Sequence, residues 1–598
     1  MGNPFASFML FFWPVVVFLL FRRLSRPEAL CWSIVGGYLV LPFGVGVDLP
    51  VLPSLNKDLI PALAAGLLLL LMGPETDRQR GTPPISRRAS PTPPATVPAM
   101  GSGEASPPGP RRRPAPSDRR APAPLPLPRV FLAFLLLLIL GPFLTTWNNQ
   151  EWISLGPLVL PGLGLYDTLS AVQIAIVTLL PFLLAQRVMA RPEAPRILLR
   201  VLVFGGLLYL LPILYELRMS PQISNKVYGF LGQSFDQAIR GFGYRPVVFL
   251  QHGLWLALFM ALAALAALVL IRNAGLGRGR AILAALVLAL VLFLCNSLGA
   301  VLIFLILAPL LLLPIRIQLL ASAILAALLL AYPMVRATPL VPAETLTRLA
   351  ETFSPDRAQS LDFRLRNEDI LLHHANKKPL TGWGGYGRSR VYDPETGRDL
   401  SITDGAWVIV MGVSGWLGYI ATYGLLGGGC LWLYVTRKRH DQSHEVAGLA
   451  LILVANLMDS ISNGTLTPVT WLIAGTLAAQ TRLRRQEAAD QGAADQGTEG
   501  QAEPGAGQGR GPLYARPRSR PQSRVLPLTL LVSALALGPA PLRAEEAAPP
   551  NPVPKPVPGL GLSDPKLAFN LNVISDWSAA LAFLDIMKLS RPFWAHDG

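Results

Sequence analysis

The chain has 598 residues, 52% of them hydrophobic and only 15% charged, with a mean hydropathy of +0.43. That balance predicts a polytopic membrane protein with several apolar runs long enough to cross a bilayer. A net charge of +16 would suggest nucleic acid in a soluble chain. Here the arginines cluster between apolar runs, where the positive-inside rule places them, so no nucleic-acid partner is expected.

In chain order, residues 1–73 hold three expected spans, near 6–21, 29–48 and 59–72. Arg22, Arg23 and Arg26 follow the first, which places its far end inside and the N-terminus outside. Residues 74–128 are rich in Pro, Arg and Ser. They cannot bury enough apolar surface to fold, which predicts a disordered cytoplasmic loop. Residues 129–335 resume with spans near 130–146, 168–190 and 197–215, then a basic outside loop at 217–246. Arg218, Lys226, Arg240 and Arg245 outnumber Asp236 there, against the usual charge bias. Basic residues kept on that side suggest an anionic ligand, with an amphipathic helix at the lipid surface as the plainer alternative. Further spans begin at about Val247 and lie near 281–295, 300–315 and 317–334.

A large outside loop at 336–403 follows, and residues 404–482 return to the membrane with spans near 406–435, 446–460 and 468–480. Every basic cluster after a span falls on one side, which supports about thirteen spans in an all-α fold. Residues 483–524 read as a disordered cytoplasmic linker. Residues 525–544 have the basic start, short apolar centre and small-residue end of a signal peptide or a span, and 545–598 read as a linker and a truncated outside tail. Cys31, Cys295 and Cys430 each sit in an apolar segment, which suggests neither a disulfide framework nor a thiolate metal site.

The stretch from Leu361 to Gly418 has the densest pattern of special residues. Ser354 and Pro355 look like the N-cap and first position of a helix carrying Arg364, Arg366, Glu368 and Asp369, which ends before Pro379. Gly382, Gly384, Gly385 and Gly387 permit tight turns, and the chain becomes apolar after Asp404. This layout resembles the O-antigen ligase and polymerase family of bacterial envelope glycan enzymes, over roughly residues 280 to 480. The family has an arginine-led helix, a Pro-x-x-Gly-x-Gly turn and a polar residue opening the next span. Arg364, Pro379, Gly382, Gly384, Asp404, Trp407, Gly415 and Gly418 stand at the matching positions. Two departures are Asp404-Gly405, where many members have His-Asn, and Glu368, where a tryptophan is common.

The resemblance implies a metal-independent glycosyltransferase in the bacterial inner membrane, with the 217–246 and 336–403 loops in the periplasm. It would take an undecaprenyl-diphosphate-linked oligosaccharide and use no cofactor. Polymerase is favoured slightly over ligase, and other polysaccharide assembly proteins are expected partners. Arginine suits the leaving diphosphate, because its planar fork stays charged and pairs two phosphate oxygens at once. The resemblance gives that role to Arg364, and the basic 217–246 loop offers Arg218, Arg240 and Arg245, with Arg366 on the helix, as further diphosphate contacts. Asp404 would orient or deprotonate the acceptor hydroxyl. The plainer readings are an ion pair of Arg364 with Glu368 one turn on, and Asp404 as a helix N-cap. His373 and His374 are adjacent, so they point to different helix faces and make no metal pair. Trp147, Trp152, Tyr166, Tyr244, Trp383, Tyr386 and Trp407 could stack on sugars, although an interfacial aromatic belt explains them equally. A transporter or flippase and a non-catalytic assembly protein are the alternative classes, but a transporter would concentrate polar signals at the bilayer midplane.

Overall fold

The computed structural model describes residues 2–48, 53–73, 128–240, 243–272, 277–337, 347–348, 351–352, 355–437 and 442–499. The expected loop at 74–127, Ser354, and the signal-like segment and tail beyond 500 lie outside the described residues, as do the side chains of 240, 355–357, 360 and 484–499.

The described chain is mostly helical. Eight helices are long and apolar enough to cross a membrane: α1 (Pro4–Arg23), α4 (Arg129–Trp147), α5 (Leu165–Val188), α6 (Ala194–Met219), α8 (Gly253–Ile271), α11 (Ile315–Arg336), α13 (Ala406–Thr436) and α14 (His444–Ser462). The remaining expected spans are also helical, as α2 (Arg26–Val40), α3 (Ile60–Leu71), α9 (Arg278–Leu294), α10 (Leu298–Leu310) and the start of α15 (Pro468–Glu499). α7 (Ile223–Tyr228) and α12 (Pro355–Ala375) lie in loops. The helix starts obey local rules. Asn3 accepts the amide of Ala6 just ahead of Pro4, and Ser443 accepts that of Val446 at the head of α14. α15 runs on to Glu499, beyond the expected boundary at 483, because its Arg, Gln, Glu and Ala residues are strong helix formers.

Contacts sort the connections into two ends of the bundle. At one end Arg26 bonds the carbonyl of Gly73, Arg272 those of Leu311 to Leu313, and Gln480 those of Met189 and Arg191. At the other, Asn3 meets Tyr228, Lys57 meets Phe249, Asn296 meets Tyr244, and Lys378 meets Asn148. The second end also carries short antiparallel ribbons that the all-helical expectation omitted. They are β1 (Gly46–Val47) with β2 (Leu55–Asn56), β3 (Ile153–Leu155) with β4 (Leu158–Leu160), and β5 (Ile239–Arg240) with β6 (Gly243–Tyr244). Each spans only two or three residues per strand, too short to register as a periodicity in sequence.

α13 is two stacked pieces. Gly415 has φ 61 and ψ −163, a backbone conformation open essentially to glycine alone. The break leaves carbonyls and amides without intrahelical partners, and the Pro379–Gly384 turn supplies them. Trp383 and Gly384 donate to the carbonyls of Gly412 and Val413 at 2.8 and 2.9 Å, while Trp416 and Leu417 donate to those of Pro379 and Leu380 at 2.7 and 3.1 Å. The inner piece, 416–436, is about 31 Å long, enough to span the hydrocarbon alone. The outer piece can therefore stand above it.

Candidate active site at the meeting of α12 and α13

α12 is a polar helix with one buried edge. Leu365, Asn367, Glu368, Leu371, Leu372 and Ala375 face the bundle, whereas Phe363, Arg366 and Ile370 are exposed. Asn367 accepts the amide of Ile402 at 3.2 Å, which ties the approach to Asp404 against the helix. Arg364, at the margin of the buried edge, has its Nε 3.9 Å from the Asp404 carboxylate. The two side chains are 36% and 44% exposed, so the pair is loose and open to solvent.

Both plain alternatives give way here. Asp404 does not cap α13, because the N-cap is Gly405 and it makes no side-chain cap bond. Glu368 turns inward instead of pairing with Arg364. Its carboxylate lies 3.7 Å from Arg336 Nε and accepts from Trp407 Nε1 at 3.4 Å and Tyr332 OH at 3.5 Å. Burial pushes the Glu368 carboxyl above its ordinary range, against the Trp407 hydrogen bond and the Arg336 charge. Arg336 also bonds Asp369 at 2.7 Å and the Leu365 carbonyl at 3.2 Å. It fixes α12 to the end of α11 and so sets where Arg364 stands. Sequence reading missed Arg336, although a basic residue closing a span on the loop-bearing side was the available signal.

The other expected residues divide. Arg366 is 76% exposed and pairs at 2.7 Å with Asp362, one turn back on the outer surface. Arg218 is exposed at the end of α6. Arg245 is buried with its Nη2 on the Asn296 carbonyl at 3.0 Å. Arg240 is described through its backbone in β5, and its side chain lies outside the described residues. The loop itself is held by Glu216, which accepts the amides of Ile223, Val247 and Val248. It is built on a buried carboxylate and is not the continuous amphipathic helix of the plainer reading.

Close to Asp404, the segment after α14 completes the wall. Ala406 donates to the Asn463 carbonyl at 3.3 Å. Asp459, 4% exposed, accepts from Asn463 and Thr465 at 2.9 and 2.8 Å and lies within electrostatic reach of Arg364. Trp407 is 1% exposed and packs edge-on against Tyr332, so it cannot meet a sugar. Trp383 is engaged by the His374 ring, stacked at 4.4 Å, and by the Lys378 ammonium at 4.6 Å. Burial pushes the His374 imidazole down. Tyr386, Trp147, Trp152 and Tyr166 remain exposed.

A buried clasp supports the turn. Arg388 donates to the carbonyls of Glu151 and Pro161 at 3.0 and 2.9 Å and to the Glu151 carboxylate at 3.2 Å, where Lys378 also binds. A cavity of about 510 Å³ opens between α5 and the loops, lined by Asn56, Asp58, Gln173, Leu466 and Trp471 among others, and none of the residues of the clasp or of the Arg364–Asp404 pair lines it. Among the described residues no three His, Cys, Asp or Glu side chains converge as a metal set.

The fold defines a helical membrane protein with a half-open arginine–aspartate pair at its loop-bearing end. No protein-family model, curated protein or solved structure matches the chain.

Proposed function

We propose that the protein is a glycosyltransferase of the bacterial inner membrane that polymerises or ligates undecaprenyl-diphosphate-linked oligosaccharide at the periplasmic face. In this reading the helices make thirteen crossings, the basic end is cytoplasmic, and the loop-bearing end faces the periplasm. Polymerase is favoured over ligase because aspartate, not histidine, stands at position 404.

The observation that carries the proposal is the Arg364–Asp404 pair. It is assembled by two elements forty residues apart in sequence, it serves neither as a cap nor as a within-helix ion pair, and it stays half-exposed. A diphosphate entering beside Arg364 would take up guanidinium donors that Asp404 holds only at 3.9 Å. The charge developing on the leaving group would strengthen that contact in the transition state. Asp404, released from the pair, would accept the proton of the attacking sugar hydroxyl.

The test is surface glycan chain length in strains carrying Arg364→Ala or Arg364→Lys at wild-type protein level. Loss of a contact that tightens in the transition state costs on the order of 2 to 4 kcal/mol, roughly thirty-fold to a thousand-fold in rate. Lysine keeps the charge but not the fork, so it should rescue little. Arg366→Ala, which removes only an exposed ion pair, should leave chain length unchanged. Normal ladders on the lipid A core in Arg364→Ala would sink the proposal, and an unmodified lipid A core with polymerised chains left on the lipid diphosphate would move it to ligase.

A further inference from the structure

α5 is taller than the helices beside it. Gly66 of α3 packs against the Leu184 side chain, and Gly475 of α15 against the Phe182 backbone. Counted back along each helix, Ile60 and Pro468 stand about level with residues 175–178 of α5. α5 begins at Leu165, so it rises roughly 15 Å or more above both starts. α3 has only 12 residues, about 18 Å against a hydrocarbon core of about 30 Å. Its far end is fixed at the basic end of the bundle, where Arg26 holds Gly73. The start of α3, with Asp58 just ahead of it, therefore lies at a depth where the bilayer is apolar.

The cavity of about 510 Å³ occupies that step. α5 lines it with a stripe at helical spacing, from Tyr166 through Ser170, Gln173, Ile174 and Val177 to Pro181, about 22 Å along the axis. The facing loop contributes Asp48, Ser54, Asn56 and Asp58, and both carboxylate residues are exposed. No Lys or Arg lines the cavity, and Lys57 turns away to the Tyr38 ring, 5.4 Å from its ammonium. A carboxylate open to lipid tails is costly, so Asp58 marks a place where something polar enters. Trp471, in the same wall, adds a second sign. It is 3% exposed and its Nε1–H has no hydrogen-bond partner among the described residues, where a buried indole N–H ordinarily has one.

The lining selects the chemistry of the ligand. Two carboxylates with no cation in the wall repel a phosphate head. Carboxylates and amides suit hydroxyls, and the exposed Tyr166 ring offers a face to the apolar side of a sugar. Ile174, Val177 and Pro181 accept an alkyl chain. We propose that this recess binds one neutral glycolipid from the leaflet at the loop-bearing end, with its sugar against Asp48, Asn56 and Asp58 and its alkyl chain along α5. The site is separate from the Arg364–Asp404 pair and does not rest on the glycosyltransferase reading.

Native mass spectrometry of the full-length protein released from nanodiscs decides it. The probes are monoglucosyl diacylglycerol, phosphatidylglycerol and phosphatidylethanolamine with matched acyl chains. The glucosyl lipid should be retained one per chain, at about ten-fold lower concentration than either phospholipid. Ser170→Trp fills the recess and should abolish that retention. Ile176→Trp, on the exposed face of α5 outside the recess, should keep it. Asp58→Asn retains hydrogen bonding to hydroxyls but removes the charge, so phosphatidylglycerol should gain on the glucosyl lipid by about three-fold or more. That variant supplies the criterion if Ser170→Trp fails to accumulate. Equal retention of the three lipids, preference for a phospholipid, or no bound lipid overturns the inference. Undiminished retention in Ser170→Trp or unchanged discrimination in Asp58→Asn does so too.

Discussion

Gly415→Ala tests the break in α13 most directly. The residue sits at φ 61, ψ −163, where an L side chain costs about 1–3 kcal/mol in backbone strain. An added Cβ would stand 2.5 Å from the Leu380 carbonyl and 2.6 Å from the Gly382 amide. Those are backbone atoms with no rotamer to relax, so the turn itself must move. Moving it threatens the four hydrogen bonds that join Pro379–Gly384 to Gly412–Leu417, each worth about 1 kcal/mol net. The sum is on the order of 3–6 kcal/mol. Thermal unfolding of the detergent-purified protein, followed by tryptophan fluorescence, should show a fall of roughly 5 °C or more. Gly385→Ala is the control, because nothing lies within 4 Å of its added Cβ, and it should unfold as wild type. A Gly415→Ala protein that also unfolds as wild type would refute the idea that the turn completes the broken helix.

Arg388→Ala should cost about 3 kcal/mol, since it removes three hydrogen bonds and strands two carbonyls; limited proteolysis should then cut within 150–162, and an unchanged digest would show the clasp is dispensable. Burial lowers the Lys57 amine to about 8, so between about pH 8 and its unfolded value near 10.4 only the unfolded chain keeps the proton. Stability should therefore climb over that window by an amount on the order of 3 kcal/mol, and Lys57→Met should flatten the climb in a melting-temperature series across pH.

The helices were legible because a span needs only a run of apolar residues, and their alternation because arginines mark one side. Arg364 and Asp404 were legible through their spacing from Pro379 and the glycines, but their contact was not, since nothing local joins them. Arg336 and Glu368 were hidden for a related reason. Arg336 looked like an ordinary loop charge and Glu368 like a helix-face partner of Arg364, and only the packing of α11, α12 and Trp407 brings the two together. Lys57 carried no signal beyond a lysine in a short polar connection. Gly415 lies in an apolar run without proline, and what permits the break there is a turn supplied from upstream. Arg245 and Arg366 show the converse, in which correct identification of a charged residue says nothing of where its side chain is spent.

The broken helix also imposes an order of assembly. A spanning helix normally satisfies its own backbone as it enters the bilayer, because exposed amides and carbonyls cost several kcal/mol each in hydrocarbon. The 416–436 piece of α13 does so alone, but the backbone around Gly415 is completed only by Pro379–Gly384. That turn is encoded first, so it leaves the ribosome ahead of the helix that needs it. Placement of that turn thus becomes a step in completing α13. Chains stalled between the two should leave the 406–415 piece undocked, with water serving the open carbonyls of Gly412 and Val413.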